Sequence, residues 1–295
     1  MRRRHMRKSI IGVLCMAVLL AANACAVRSS APVTEQTGEP RIISTSAPLC
    51  TILDKLDLDL VGIPDTAFAI PERYKNVKIV GAPMTPDFEI VKALNPTDVL
   101  SPNALQQDLQ PHYQRIGVPS TFVNLLSLDG MFRSIDGLGK KYDRQKQADA
   151  LISEYRTFMD AYASSVQGKD KPSVLILFGL PGMYMIATEH SYVGSLVKLA
   201  GGVNVFDDPE ALLSVNTEEL IKRDPDIILR TSHALPEAVM AAFEQEFRDN
   251  DIWRHFRAVQ EERVFDLSNQ IFGMSANLNY QEGLNQLREI LYEQD

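Results

Sequence analysis

Glu89-Ile-Val-Lys-Ala-Leu-Asn-Pro96-Thr-Asp-Val-Leu100 and Glu218-Glu-Leu-Ile-Lys-Arg-Asp-Pro225-Asp-Ile-Ile-Leu229 are the two stretches on which the fold turns. In each, a Glu opens a short helical segment, a Pro stops it seven residues later, and an apolar run follows. Proline cannot continue a helix, because it lacks the N–H and its ring collides with the preceding turn. A short apolar run directly behind it reads as a buried strand. The two stretches stand 129 positions apart, 218 against 89. A helix–Pro–strand unit met twice at matched spacing points to two α/β lobes related by duplication.

The flanks agree with that reading. Before the first stretch, Arg41 to Ser44 and Asp59 to Pro64 read as strands around a helix from Ala47, with Ser46 as its N-cap. Behind it, Pro119 to Asn124 is another strand. Around the second stretch, Ser173 to Phe178, Tyr184 to Ala187 and Arg263 to Leu267 read as strands, and Ser191 to Ala200, Pro236 to Phe247 and Tyr280 to Glu293 as helices. Between the lobes, residues 127–168 show no strand pattern; apolar residues recur at helical spacing, from Met131 to Tyr162. That predicts α/β lobes at 41–126 and 169–295, joined by a single long backbone helix, with bending expected near Gly137 and Gly139. A stiff connector predicts a small lobe displacement on ligand binding.

The N-terminus reads as a targeting segment. Arg2, Arg3, Arg4, Arg7 and Lys8 precede an apolar run from Ile10 to Ala22, and Ala22-Asn-Ala-Cys25 follows. The run is 13 residues long, short of the ~20 that a membrane-spanning helix needs. Residues 1–24 are therefore a signal peptide. Cleavage after Ala24 by ordinary signal peptidase would leave a soluble protein, whereas lipoprotein processing would attach lipid to Cys25. The polar stretch 25–40 suits a flexible tether. Removing residues 1–24 takes five of the 30 basic residues and none of the 38 acidic ones, which leaves a net charge of −13. Such a balance argues against a nucleic-acid groove. Cys50 is then left without a partner and reads as a small buried hydrophobe.

Of the five histidines, His233 has the most telling position. It follows the strand ending near Leu229 and precedes the Pro236 helix, and open α/β sheets bind ligands beyond the carboxyl ends of their strands. His190, in front of the Ser191 helix, is the second candidate, while His112 reads as a surface residue and His255 as helix packing. Met84, between Pro83 and Pro86, sits in a stiff loop away from any helical face. A thioether from one lobe and an imidazole from the other would suit the two axial positions of haem iron. Enzymatic use of His233 as a base lacks a nucleophile or paired carboxylate in the sequence.

These residues carry a resemblance. Gly81-x-Pro-Met84-x-Pro86, His233-x-x-Pro236, Pro71-x-Arg-Tyr-Lys75, Asn250-Asp-Ile-Trp and the Ser191 to Gly202 stretch are similar to motifs of haem-binding lipoproteins of ABC importers, the type that serves staphylococcal surface haem uptake. More broadly, the chain from about Arg41 to Tyr292 resembles the iron–siderophore and vitamin B12 substrate-binding proteins. The resemblance implies two Rossmann-like lobes with the ligand cleft between them, and a transport receptor rather than an enzyme. It implies haem held by Met84 and His233 and passed to a membrane permease. It also implies that Glu89 and Glu218 dock on that permease, and it leaves room for a cell-surface haem donor. The haem propionates need donors, and the helix start at Ser46, Ala47, Leu49 and Cys50 offers backbone N–H groups. A ferric siderophore or a corrinoid is the alternative cargo on the same fold.

Overall fold

Residues 38–293 are described by the computed structural model; the leader 1–24, Cys25 and all but the last three residues of the tether 25–40 lie outside them. The first lobe runs β1 (Ile42–Ser44), α1 (Ala47–Lys55), β2 (Leu60–Ile63), β3 (Lys78–Ile79), the hairpin β4 (Gly81–Ala82) and β5 (Thr85–Pro86), α2 (Phe88–Ala93), β6 (Asp98–Pro102), α3 (Gln106–Ile116) and β7 (Ser120–Val123). Its sheet has the order β3-β2-β1-β6-β7, with every pair parallel. The Pro71-x-Arg-Tyr-Lys75 motif is anchored here on the segment before β2. Arg73 reaches Asp59 at 2.6 Å and Asp57 at 3.1 Å, and the Tyr74 hydroxyl donates to the Leu58 carbonyl at 2.5 Å.

Two helices follow, α4 (Leu128–Lys141) and α5 (Gln145–Val166). The second lobe comprises β8 (Ser173–Leu180), β9 (Met183–Ala187), α6 (Tyr192–Leu199), β10 (Val203–Asn204), β11 (Leu212–Ser214), α7 (Thr217–Arg223), β12 (Ile227–Ser232), α8 (Pro236–Asp249), α9 (Arg257–Gln260), β13 (Val264–Asp266) and α10 (Tyr280–Tyr292). Its sheet has the order β11-β9-β8-β12-β13, with β10 also on β8. The centre is parallel, but β9 turns back antiparallel on β8 through Gly182, whose φ is +81°.

The duplication is visible atom by atom. The Asp87 side chain accepts the N–H of Glu89 and of Ile90, each at 3.0 Å. The Asn216 side chain accepts those of Glu218 and Glu219, at 3.1 and 3.3 Å. Both caps satisfy first-turn donors that the helix itself leaves free. At the far ends, Asn95 and Asp224 take left-handed φ of 46° and 33° immediately before the two prolines. Asn and Asp tolerate that region better than other side chains. The offset of 129, 224 against 95, is the one already found between Glu89 and Glu218.

The segment 127–168 corrects one expectation: it is not one continuous helix. Asp143 adopts a φ of 54° between α4 and α5, so the chain turns there, outside the Gly137–Gly139 region. The cause lies in tertiary contacts. Buried Asp98, at the start of β6, accepts from Lys141 Nζ at 2.5 Å and from the Tyr142 hydroxyl at 2.6 Å, which pins the end of α4. Gly139 does not bend the chain but admits a neighbour: a Cβ there would stand 2.6 Å from the Ala148 Cβ of α5. Helix α4 packs into the core with Leu128, Met131, Phe132, Ile135 and Leu138 buried. Helix α5, 22 residues or ~33 Å long, is the long helix that leads on to the second lobe.

The lobes share one apolar core. A single buried cluster holds Leu125, Met131 and Phe132 together with Ile271, Phe272, Ala276 and Tyr280. Phe132 stacks on Tyr155 at 4.1 Å, and both meet the Tyr280 ring edge-on at 5.5 and 5.6 Å. The Ala276 N–H donates to the Leu125 carbonyl at 2.7 Å. Leu125 follows the carboxyl end of β7 and Ala276 lies in the segment between β13 and α10, so this bond ties the chain after the first sheet to the chain after the second.

Candidate functional site

Met84 lies at the tip of the β4–β5 hairpin, where Gly81 pairs with Pro86 and Ala82 with Thr85. Gly81 has a φ of +99°, and a Cβ there would meet the Asp87 nitrogen at 2.9 Å, so this hairpin needs glycine at its base. The tip is left with Pro83 and Met84, and the Met84 side chain is 63% exposed. A stiff turn thus holds an apolar thioether largely out in solvent, where it adds little to the core. The hairpin follows β3 directly, which places Met84 at the carboxyl edge of the first sheet.

His233 is the first residue past β12, and its N–H donates to the Gly179 carbonyl of β8 at 2.9 Å. The ring tilts against Phe178, centroids 6.4 Å apart. Burial beside that apolar neighbour keeps the imidazole pKa below its ordinary 6.5, because desolvation penalises the charged form. A neutral imidazole carries the lone pair that a metal requires. The unfolded chain takes up the proton first, so this group costs stability as pH falls through 6.5 and below. The imidazole is accordingly expected to stay neutral until the pH lies below 6.5; an NMR titration of its ring protons checks this, and protonation at or above the ordinary imidazole value would contradict it.

The start of α1 forms a third corner, at the carboxyl end of β1. Here the expectation needs one correction: the Cys50 N–H is not free, because it donates to the Ser46 carbonyl at 3.0 Å as the first bond of the helix. Pro48 has no N–H to offer. The N–H groups of Ser46, Ala47 and Leu49 have no acceptor among the described residues. The Ser46 hydroxyl, expected as the helix cap, makes no capping bond and is buried without a partner. Three N–H groups and a hydroxyl at the positive end of a helix make a carboxylate cradle. Cys50 itself is fully buried, with burial pushing its thiol pKa up to about 12.

Glu89 and Glu218 are exposed second residues of α2 and α7. A helix that feeds a parallel strand runs opposite to it, so both glutamates lie toward the same carboxyl edges as Met84 and His233. His190 is exposed and lies 3.8 Å from Glu189. His112 stacks on Phe88 at 4.8 Å, and His255 is exposed rather than packed. Sequence reasoning missed a further feature: Leu126, Met183, Leu235 and Met274 are large apolar side chains left 38–63% exposed, and each follows the carboxyl end of a strand.

Two α/β lobes joined through a helical segment, with exposed apolar side chains beyond the carboxyl ends of their strands, are the architecture of a two-lobed binding protein. The chain belongs to the periplasmic binding protein family, whose sequence pattern matches residues 42–271. It is 41% identical to the high-affinity heme uptake system protein IsdE of Staphylococcus aureus (strain Newman) over 267 residues, covering 90% of this chain and 91% of that one. Its fold matches the crystal structure of S. aureus IsdE complexed with heme at a TM-score of 0.83 and 42% identity, over 86% of this chain and 100% of that one. An ABC transporter substrate-binding protein from Listeria monocytogenes EGD-e is equally similar, at a TM-score of 0.82, 44% identity and coverage of 87% and 100%.

Proposed function

We propose that this chain is an extracytoplasmic haem receptor that delivers its ligand to the permease of an ABC importer. The observation that carries the reading is the pairing of Met84 and His233, one beyond the carboxyl edge of each sheet, in a chain about two-fifths identical to a heme uptake protein over nine-tenths of its length. Haem iron has two axial positions, and a thioether and a neutral imidazole suit them. The apolar residues at the carboxyl edges suit a porphyrin face. The cradle of Ser46, Ala47 and Leu49 suits a propionate. The exposed Glu89 and Glu218 offer one charge from each lobe to basic residues of a permease. Lipid attached to Cys25 would hold the receptor at the membrane, within reach of a cell-surface haem donor.

Mixing the ligand-free protein with haemin tests the reading. The expected result is a Soret band shifted from that of free haemin and saturating at one equivalent. A spectrum that remains that of free haemin, with a spectral response to a ferric siderophore or a corrinoid instead, would overturn it.

A further inference from the structure

Six residues other than glycine have left-handed φ among the described residues: Asp57, Asn95, Asp143, Asp224, Leu235 and Glu262. Leu235 is the one apolar member, at φ 48° and ψ 57°. A Cβ that branches on into a bulky apolar group is disfavoured in this region, and no local hydrogen bond from the side chain compensates. Three of the six precede a proline: Asn95, Asp224 and Leu235. A following proline disfavours helical backbone in the residue before it. At the first two positions the chain uses Asn and Asp. At Leu235 it uses leucine and leaves the side chain 63% exposed. Burial within the chain therefore does not repay the conformation.

Position supplies the missing reason. Leu235 stands two residues beyond His233 in the turn that joins β12 to α8, at the carboxyl edge that forms one wall of the cleft. Strained backbone at such a place is retained when the strained residue serves the ligand. We propose that Leu235 is a positioning residue for haem retention: its side chain covers the bound porphyrin beside His233 and keeps water from the iron–imidazole bond. This rests on the reading of the chain as a haem receptor. Ligand binding then buries the leucine, and the unfavourable turn holds it ready to be buried.

Leu235→Gly and Leu235→Asn separate this role from a structural one. Both residues accept left-handed backbone and both remove the apolar cover. Two measurements are needed: the rate at which haem passes from the loaded protein to excess apomyoglobin, and the thermal midpoint of the ligand-free protein. The expected result is haem loss about fivefold faster, ~1 kcal/mol, with a midpoint equal to or above that of the parent. Loss at the parent rate would overturn the proposal. A lowered midpoint in both variants would also overturn it, because Leu235 would then be supporting the fold. If the parent itself gives no haemin spectrum, the haem reading fails first, and that outcome is read before any variant is made.

Discussion

Met84→Ala and His233→Ala are each expected to change the axial-ligand bands of the haemin complex and to weaken haem retention by at least about tenfold, while His190→Ala leaves both unchanged. The effect follows from placement. Met84 is carried on a two-residue hairpin tip with a proline on one side and Gly81 at its base, so no nearby side chain can take over its position. His233 has its main chain fixed by the backbone N–H that donates to the Gly179 carbonyl, and its ring tilts against Phe178. Neither side chain belongs to the buried clusters that hold the lobes together, so the substitutions should leave thermal stability near that of the parent. His190 is a fair control: it is a histidine, it is exposed, and its one charged neighbour is Glu189. Unchanged spectra in both Met84→Ala and His233→Ala would remove the iron-ligand assignment.

The second large effect concerns transport rather than binding. Replacing Glu89 and Glu218 together with Ala should abolish growth on haem as the sole iron source, while the purified variant binds haemin as the parent does. Both glutamates are exposed, and both donate their backbone N–H to a capping Asp87 or Asn216 side chain rather than to the helix. Their own carboxylates hold no ion pair among the described residues. Truncating them therefore leaves the caps and the core intact and removes only two outward charges. Electrostatic complementarity of this kind governs encounter and register between partners. Uptake that survives the double replacement would show that the permease docks elsewhere.

Several of these features were legible in the sequence because they depend on local chemistry. The two helix–Pro–strand units could be read from Pro96, Pro225 and the apolar runs behind them. The special placement of Met84 could be read from Pro83 and Pro86. Family-like motifs did the rest for His233 and the two glutamates. What stayed hidden depends on contacts distant in sequence. The turn at Asp143 carries no Gly or Pro, and it exists because Asp98, more than 40 positions away, holds Lys141 and Tyr142. The helix start at Ala47 stands where it was expected, but the free N–H groups end at Leu49, one residue short of Cys50. Leu235 gave no signal, since a leucine before a proline reads as ordinary extended chain. The Ser46 hydroxyl was expected to cap α1, and instead its side chain makes no capping bond.

The apolar cluster that runs through Leu125, Phe132, Phe272 and Tyr280 makes the two halves of the duplication interdependent in a way their symmetry hides. Each half repeats the same unit and keeps an apolar cluster of its own, but this further cluster spans both, so the molecule is expected to melt as one cooperative body rather than as two beads on a string. Cargo held at the cleft therefore stabilises all of it by mass action, including surfaces far from any porphyrin. The seam between the two strand-and-helix units is built from residues of both.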